Sequence, residues 1–195
     1  MISARSLAGD NGGKYKRVDN DYYATDPQSV RDLLDIHPFK NKMCLEPCVG
    51  NGNIVETFLE YYPSSYFDKV DIIDRGYPCE IKDFLQYNTN KKYDTIITNP
   101  PYALAQEFIE HSLELLNSEG QCAMFLKIQF LEGVKRKDFF KKYPPKYIYV
   151  FSKRQAPWNN GNQFNEKGKK WSSTMCFAWF IWEKDFIGEP VIRWI

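Results

Sequence analysis

The sequence predicts an α/β protein built on a doubly wound, mostly parallel sheet. Short runs of β-branched and aromatic residues alternate along the chain with stretches of helical periodicity. One unit is a strand, a glycine-rich loop and a helix, which typically opens such a domain, with the ligand at the carboxyl end of the strand. The 195 residues suffice for one domain with a sizeable core. We therefore expect a single domain over residues 21–195, after a flexible lead-in over residues 1–20 that is rich in Gly, Asn, Ser and charge.

Capping residues and apolar periodicity predict the helices. Asp26 or Thr25 is a good N-cap, and Pro27 suits the first helical position that follows. Pro144 and Pro145 end the last helix because proline cannot continue it. In chain order the predicted helices cover residues 27–36, 54–62, 103–117 and 134–142.

Apolar runs rich in β-branched and aromatic residues predict the strands. We expect the last two of them to form an antiparallel pair, separated by a long loop over residues 152–173. In chain order the predicted strands cover residues 42–46, 69–74, 95–98, 122–128, 147–151 and 174–182, with a further strand end near residue 81.

The loop after the first predicted strand is a candidate ligand site. It has the sequence Glu46-Pro47-Cys48-Val49-Gly50-Asn51-Gly52, and its two glycines let the backbone approach a ligand closely. A dinucleotide fingerprint would place a third glycine at position 55, where this chain has Val55. This departure disfavours NAD and suits a ligand without a pyrophosphate.

Two acidic positions downstream are candidate ligand contacts. Asp74 closes the second predicted strand 24 positions after Gly50, about where such folds place a carboxylate on ribose hydroxyls. Asp83 and Phe84 lie where a third strand-end loop could flank an adenine ring. The structural alternative for each is an ordinary turn residue.

The turn Asn99-Pro100-Pro101-Tyr102 follows the strand over residues 95–98. Pro100 pushes Asn99 into an extended conformation, and the two prolines remove two amide donors. The turn therefore presents two acceptors, the Asn99 side-chain oxygen and the Pro100 carbonyl, beside the Tyr102 ring. Such a site suits a planar substrate that bears an amino group, although an Asn-Pro pair can also simply end a strand.

Charge is distributed unevenly along this nearly neutral chain. Residues 1–132 hold 13 Lys and Arg against 20 Asp and Glu, whereas residues 133–170 hold 11 against 2. Aromatic and basic residues interleave in the loop over residues 152–173, a composition that favours stacking and phosphate contact with a nucleic acid. A solvated helix face with a mobile loop is the structural alternative. The candidate contacts are Arg154, Trp158, Phe164, Lys167, Lys169 and Lys170.

Other function classes find little support in the sequence. The five cysteines lack paired spacing and the two histidines are remote, so we expect free thiols in a reducing cytoplasm and no metal site. Apolar runs are too short to span a bilayer, and residues 1–20 lack the apolar core of a signal peptide, so we expect no membrane association.

Together these motifs resemble the S-adenosylmethionine-dependent amino-methyltransferases of DNA, the adenine-N6 and cytosine-N4 enzymes. The turn over residues 99–102 resembles their catalytic motif, and the loop over residues 46–52 resembles their methionine-binding loop. The resemblance makes Asp74 the ribose carboxylate and residues 83–84 the adenine contacts. The segment Tyr23-Ala24-Thr25-Asp26-Pro27 resembles their N-terminal motif, except that Asp26 is interposed. The motif order resembles that of gamma-type members, and the chain looks similar to short phage-encoded enzymes.

The resemblance implies a Rossmann-like class I methyltransferase fold, with a seven-stranded, mostly parallel sheet and an antiparallel C-terminal strand. It also implies S-adenosylmethionine as cofactor, and transfer to the exocyclic amine of a flipped base, adenine N6 in DNA being favoured. Tyr102 would cover one face of that base, and Phe151, Trp158 or Phe164 the other.

The chain leaves no room for a separate target-recognition domain, because only 46 residues lie between Gly52 and Asn99. The loop over residues 152–173 is the one candidate reader, so we expect relaxed specificity, a short site, or reading through a partner protein. We expect a monomer or a homodimer. Four alternatives stay open: transfer to RNA, to cytosine N4 or to protein glutamine, and a non-catalytic nucleic-acid-binding module.

Overall fold

The computed structural model describes residues 23–195, so the predicted lead-in over residues 1–20 lies outside the described residues. Four α-helices and ten β-strands alternate along this part of the chain. The helices are α1 (Pro27–Leu34), α2 (Asn53–Tyr61), α3 (Ala105–Leu115) and α4 (Arg136–Lys142). The strands are β1 (Tyr23–Ala24), β2 (Met43–Glu46), β3 (Tyr66–Asp71), β4 (Glu80–Ile81), β5 (Tyr93–Thr98), β6 (Leu116–Lys127), β7 (Tyr147–Val150), β8 (Trp158–Asn159), β9 (Phe177–Glu183) and β10 (Val191–Trp194).

Eight of these strands form one sheet in the order β10-β7-β9-β6-β5-β2-β3-β4. All neighbours are parallel except at β9, which runs antiparallel to both β6 and β7. The predicted α/β class and the antiparallel pair near the C-terminus are confirmed. β10 adds an eighth strand, which the sequence analysis did not predict.

Strand β9 shows why the sheet lies inside the domain. Its first six residues are all buried, and they alternate between two hydrophobic clusters. Phe177, Trp179 and Ile181 join the cluster that contains residues of α1 and α2. The intervening residues of β9 join the cluster that contains residues of α3 and α4. Helices therefore cover both faces, which explains the continuous apolar run in place of a polar–apolar alternation.

Several strand boundaries differ from the prediction, among them the end of β3 and the start of β6. β3 ends at Asp71, three residues before Asp74, because the chain turns there and leaves Ile72 63% exposed. β6 begins at Leu116, six residues before the predicted start at Cys122. Leu116 already pairs with Tyr93, and the register shifts before regular pairing continues.

Within residues 23–195 no helix combines the length and the apolar character needed to cross a membrane. All five cysteines are free thiols, and Cys44 and Cys122 are buried.

Candidate active site

The predicted ligand loop and the predicted catalytic turn lie at the same edge of the sheet. β2 pairs in parallel with β3 on one side and with β5 on the other, so the carboxyl ends of the three strands meet. Leu45 lies opposite Ile96, which places Glu46 at the end of β2 near Asn99, which lies just beyond the end of β5. This edge is where doubly wound sheets bind their ligands.

The loop over residues 46–52 forms a tight bend that is held against β3. Val49 donates its N–H to the Val70 carbonyl at 3.0 Å, and Gly50 donates its N–H to Asp71 Oδ2 at 2.9 Å. Gly50 and Gly52 have φ values of 56° and 86°, in the left-handed region that favours glycine. A Cβ atom at Gly52 would lie 2.3 Å from the Tyr77 ring. The bend therefore requires glycine for its conformation and for this close contact.

Glu46 is a fully buried acid at the end of β2. Its Oε1 accepts the Cys48 N–H at 3.3 Å, whereas Oε2 has no partner at hydrogen-bonding geometry within the described part of the chain. Burial raises the pKa of Glu46 well above its usual range, and the Thr98 hydroxyl and the Cys48 N–H only partly oppose that rise. A buried, unsatisfied carboxyl oxygen fits a ligand that supplies a hydrogen-bond donor.

The carboxylate at the end of β3 is Asp71, which the sequence analysis did not single out. Its side chain is buried, accepts the Gly50 N–H, and lies 4.0 Å from Arg75 Nε. Asp74 lies beyond the strand, is exposed, and accepts the Gly76 N–H at 2.8 Å in a local turn. The apolar pair Ile72-Ile73 made the strand appear to continue to Asp74. The acidic residue just before this pair, Asp71, was the signal in the sequence that could have located the true strand end. The ribose contact of Asp74 stays a prediction.

The two predicted adenine contacts, Asp83 and Phe84, lie in different environments in the structure. Asp83 caps a short 3-10 helix by accepting the Leu85 N–H at 3.0 Å. Phe84 is only 2% exposed, and its ring contacts Phe108 and His111 in the core. The Phe84 ring is thus packed beneath the loop, and its contact with an adenine ring stays a prediction. The contact of Asp83 stays a prediction.

The Asn-Pro-Pro-Tyr turn begins directly after β5. Asn99 is half-buried, and its Nδ2 donates to the Tyr23 carbonyl at 2.8 Å. This bond engages the amide nitrogen and leaves Oδ1 as the acceptor. Pro100 is buried, and Pro101 precedes a short 3-10 helix over Tyr102–Leu104.

The Tyr102 ring lies close to an aromatic residue of β9 and to a lysine of β6. Its centroid is 6.0 Å from that of Phe177, and Lys127 Nζ lies over the ring at 5.0 Å from the centroid. Burial raises the pKa of Tyr102, so its hydroxyl stays protonated. The sequence analysis did not identify Lys127. Its position as a basic residue at the very end of a buried strand was the feature that could have indicated it.

The N-terminal motif joins this edge of the sheet. β1 pairs antiparallel with β8, which places Ala24 opposite Trp158. Asn53 Nδ2 donates to the Thr25 carbonyl at 2.9 Å, which links the motif to the start of α2. Thr25 is 3% exposed. Tyr23 and Thr25, both predicted to bind the cofactor, therefore lie with the catalytic turn and the glycine bend.

Unsatisfied polar atoms concentrate at this edge. Nine buried side-chain oxygens lack a hydrogen-bond partner among the described residues, and five of them belong to the segments that form the site. Because buried polar groups are normally satisfied, such a cluster indicates a place for a polar ligand. The five oxygens belong to Thr25, Glu46, Asn51, Thr98 and Tyr102.

The loop over residues 152–173 folds back on the N-terminal segment instead of extending freely. Arg154 Nη1 donates to the Thr174 carbonyl at 2.6 Å and lies 3.0 Å from Cys176 Sγ, so this guanidinium also anchors the base of the loop. Trp158 lies in β8, and Phe164 is 48% exposed. Lys167, Lys169 and Lys170 are all exposed. Their contact with nucleic acid stays a prediction.

Some known proteins are similar to this chain in sequence or in fold. No protein-family model matches the chain. A type II methyltransferase, M.CvrRI, of Paramecium bursaria Chlorella virus XZ-6E is 32% identical over 100 residues, which cover 46% of this chain and 26% of that protein. The match thus spans about a quarter of the relative's length.

Solved structures show the same fold. A protein from Listeria monocytogenes that is assigned to the class I S-adenosylmethionine-dependent methyltransferases superposes with a TM-score of 0.57 at 17% identity, over 87% of this chain and 64% of that chain. A modification subunit assigned to a type I restriction enzyme of Vibrio vulnificus YJ016 gives a TM-score of 0.62 at 13% identity, over 91% of this chain and 48% of that chain. The chain thus has the class I methyltransferase fold that the sequence analysis expected.

Proposed function

We propose that this protein transfers a methyl group from S-adenosylmethionine to the exocyclic amino group of a nucleic-acid base, adenine N6 in DNA being the substrate that fits best. The observation that carries the proposal is the Asn99 amide, whose nitrogen is engaged by the Tyr23 carbonyl at the edge where the glycine bend also lies. A type II methyltransferase relative and the class I fold support the same reading.

The residues of the bend fit the cofactor. Glycines at positions 50 and 52 allow close approach, and the unpartnered oxygen of Glu46 suits the ammonium group of the cofactor's methionine part. A bound cation would favour the ionised carboxylate and so reverse the rise in the Glu46 pKa. When bound, S-adenosylmethionine supplies a methyl group activated on a sulfonium. The further residues that we assign to its site are Tyr23, Thr25, Pro47, Asp74, Asp83 and Asn99.

The turn supplies the chemistry at the substrate. An exocyclic amine is a poor nucleophile because its lone pair is delocalised into the ring. Hydrogen bonds from the amine to Asn99 Oδ1 and the Pro100 carbonyl favour a more tetrahedral nitrogen, whose lone pair then points at the methyl group. Pro101 keeps the turn rigid, so the two acceptors need no rearrangement. Positioning and preorganised dipoles therefore provide most of the acceleration.

Tyr102 supports the base once it has left the helix stack. A base in duplex DNA must be flipped out before its amine can reach the turn. Stacking on the Tyr102 ring contributes about 1–3 kcal/mol. Because Lys127 Nζ lies over one face of this ring, the base either takes the opposite face or replaces the ammonium.

The exposed basic loop supplies the surface for the nucleic acid. Its lysines at positions 167, 169 and 170 contact phosphates, and Arg154 adds charge at the base of the loop. Trp158 and Phe164 offer rings for unstacked bases. We assign sequence reading to this loop or to a partner protein.

The test is transfer of tritiated methyl groups to duplex DNA, single-stranded DNA, RNA and protein, followed by identification of the methylated nucleoside. We expect N6-methyladenine in DNA, and Asn99→Ala should abolish transfer while calorimetry still detects cofactor binding. Labelled RNA, N4-methylcytosine or labelled protein would identify another substrate. Absence of cofactor binding would leave a non-catalytic binding module, and full activity of Asn99→Ala would refute the role of the turn.

A further inference from the structure

The orientation of the Asn99 amide depends on a contact outside the main sheet. An asparagine amide can rotate by half a turn and exchange its oxygen for its nitrogen. The 2.8 Å bond from Nδ2 to the Tyr23 carbonyl selects one of these two orientations. In the other orientation Nδ2 would face the substrate amine, and two donors would oppose each other. The position of the Tyr23 carbonyl therefore decides whether the turn can accept a hydrogen bond.

Within the described residues, Tyr23 lies in a short strand that the loop over residues 152–173 supports. Among the described residues, β1 spans Tyr23–Ala24 and pairs only with β8, a two-residue strand inside the loop over residues 152–173. A second link lies three residues before β8, where Gln155 Oε1 accepts the Ser29 hydroxyl at 2.6 Å. Ser29 is 1% exposed, and its carbonyl accepts the Trp179 indole N–H at 2.8 Å. The loop is thus fastened to the rigid body of the domain next to the strand that it supports.

From this chain of contacts we infer that the loop over residues 152–173 positions the catalytic amide as well as binding nucleic acid. Gln155 acts as a positioning residue: it fixes β8, β8 supports β1, and the Tyr23 carbonyl of β1 orients Asn99. A nucleic acid that engages Trp158 or the neighbouring basic side chains contacts the same support. Binding to the loop and orientation of the catalytic amide are therefore coupled. This inference rests on the proposed function for its kinetic consequences only.

The experiment compares Gln155→Ala with Gln155→Glu, which keeps an acceptor for Ser29, and with Gln163→Ala, a matched change at an exposed position of the same loop. We expect Gln155→Ala to lower kcat by about 10- to 100-fold, the range that a misplaced catalytic group costs. The KM for S-adenosylmethionine should stay close to that of the wild type. Gln155→Glu should restore most of the rate, and Gln163→Ala should leave it unchanged.

A spectroscopic reading tests the coupling without catalysis. The side-chain amide signals of Asn99 in a ¹⁵N-correlated NMR spectrum are identified by their loss in Asn99→Ala. They should shift in Gln155→Ala and stay in place in Gln163→Ala. An unchanged kcat with only a raised KM for DNA, or Asn99 signals that do not move, would overturn the inference. If the wild type methylates no nucleic acid, the proposed function fails, and the spectra still decide the coupling.

Discussion

Substitution of Gly52 by alanine should damage the cofactor bend in two ways that can be measured separately. Gly52 has φ of +86°, and an added Cβ would lie 2.3 Å from the Tyr77 ring. Carbon atoms ordinarily pack about 3.5–4.0 Å apart, so the ring would have to move by more than about 1 Å. The Tyr77 hydroxyl donates to Glu56 Oε1, which ties the ring in place and opposes that movement.

Gly76 provides a matched control, because it has φ of +85° and nothing within 4 Å of an added Cβ. Gly76→Ala should cost only the left-handed conformation, about 1–2 kcal/mol. Gly52→Ala should lower the free energy of unfolding by the same amount and by a further ~1–3 kcal/mol, because the added methyl group overpacks against Tyr77. Urea unfolding measures the free energy of unfolding of each variant. The two values can be compared directly when the two m-values agree.

Adding Tyr77→Ala to Gly52→Ala should restore the stability that is lost to overpacking. A double-mutant cycle isolates this coupling between positions 52 and 77. Calorimetry with S-adenosylmethionine should show weaker binding for Gly52→Ala than for Gly76→Ala. Equal free energies of unfolding for the two glycine variants, or a cycle with no coupling to Tyr77, would refute the reasoning.

Three further predictions concern the ring, the basic loop and a buried histidine. Tyr102→Phe should retain most methyl transfer and Tyr102→Ala should lose far more, because only phenylalanine keeps a ring on which the base can stack; equal rates would remove the stacking role. The triple variant with Lys167, Lys169 and Lys170 changed to alanine should reduce the salt dependence of DNA binding by a slope of up to about 3, and an unchanged slope would place the phosphates elsewhere. Burial, with help from Lys146 and Arg193, lowers the pKa of His37 from 6.5 to about 4. The unfolded chain therefore binds this proton more readily, and stability should fall as the pH drops from about 6.5 towards about 4, by on the order of 3 kcal/mol in total. Urea midpoints between pH 7 and pH 5 measure this loss, which His37→Gln should flatten if the histidine is responsible.

The parts of the site that sequence predicted depend on local chemistry. The run that ends at Thr98 is β-branched and buried, and two prolines follow it directly, so both strand β5 and its turn were evident. The glycine bend was evident for a similar reason, since Gly50 and Gly52 adopt conformations that other residues avoid. Parallel pairing then brings the two segments to one edge without any further information.

The parts that sequence did not predict depend on distant contacts. The β1–β8 pair joins two dipeptides more than a hundred positions apart, and neither has a strand pattern of its own. Phe84 follows an acid near a strand end, yet its ring packs under α3, because burial of an aromatic ring outweighs exposure in a loop. Asp71 was hidden because the apolar run continues past the end of hydrogen bonding in β3.

The eighth strand, β10, covers the edge of β7 and holds the start of the loop over residues 152–173. Ile195 donates its N–H to the Val150 carbonyl at 2.9 Å, and its own carbonyl accepts the Ser152 N–H at 2.7 Å. These two bonds hold residue 195 at the point where β7 ends and the loop over residues 152–173 begins. Deleting residues 191–195 would therefore expose the edge of β7 and release the start of that loop.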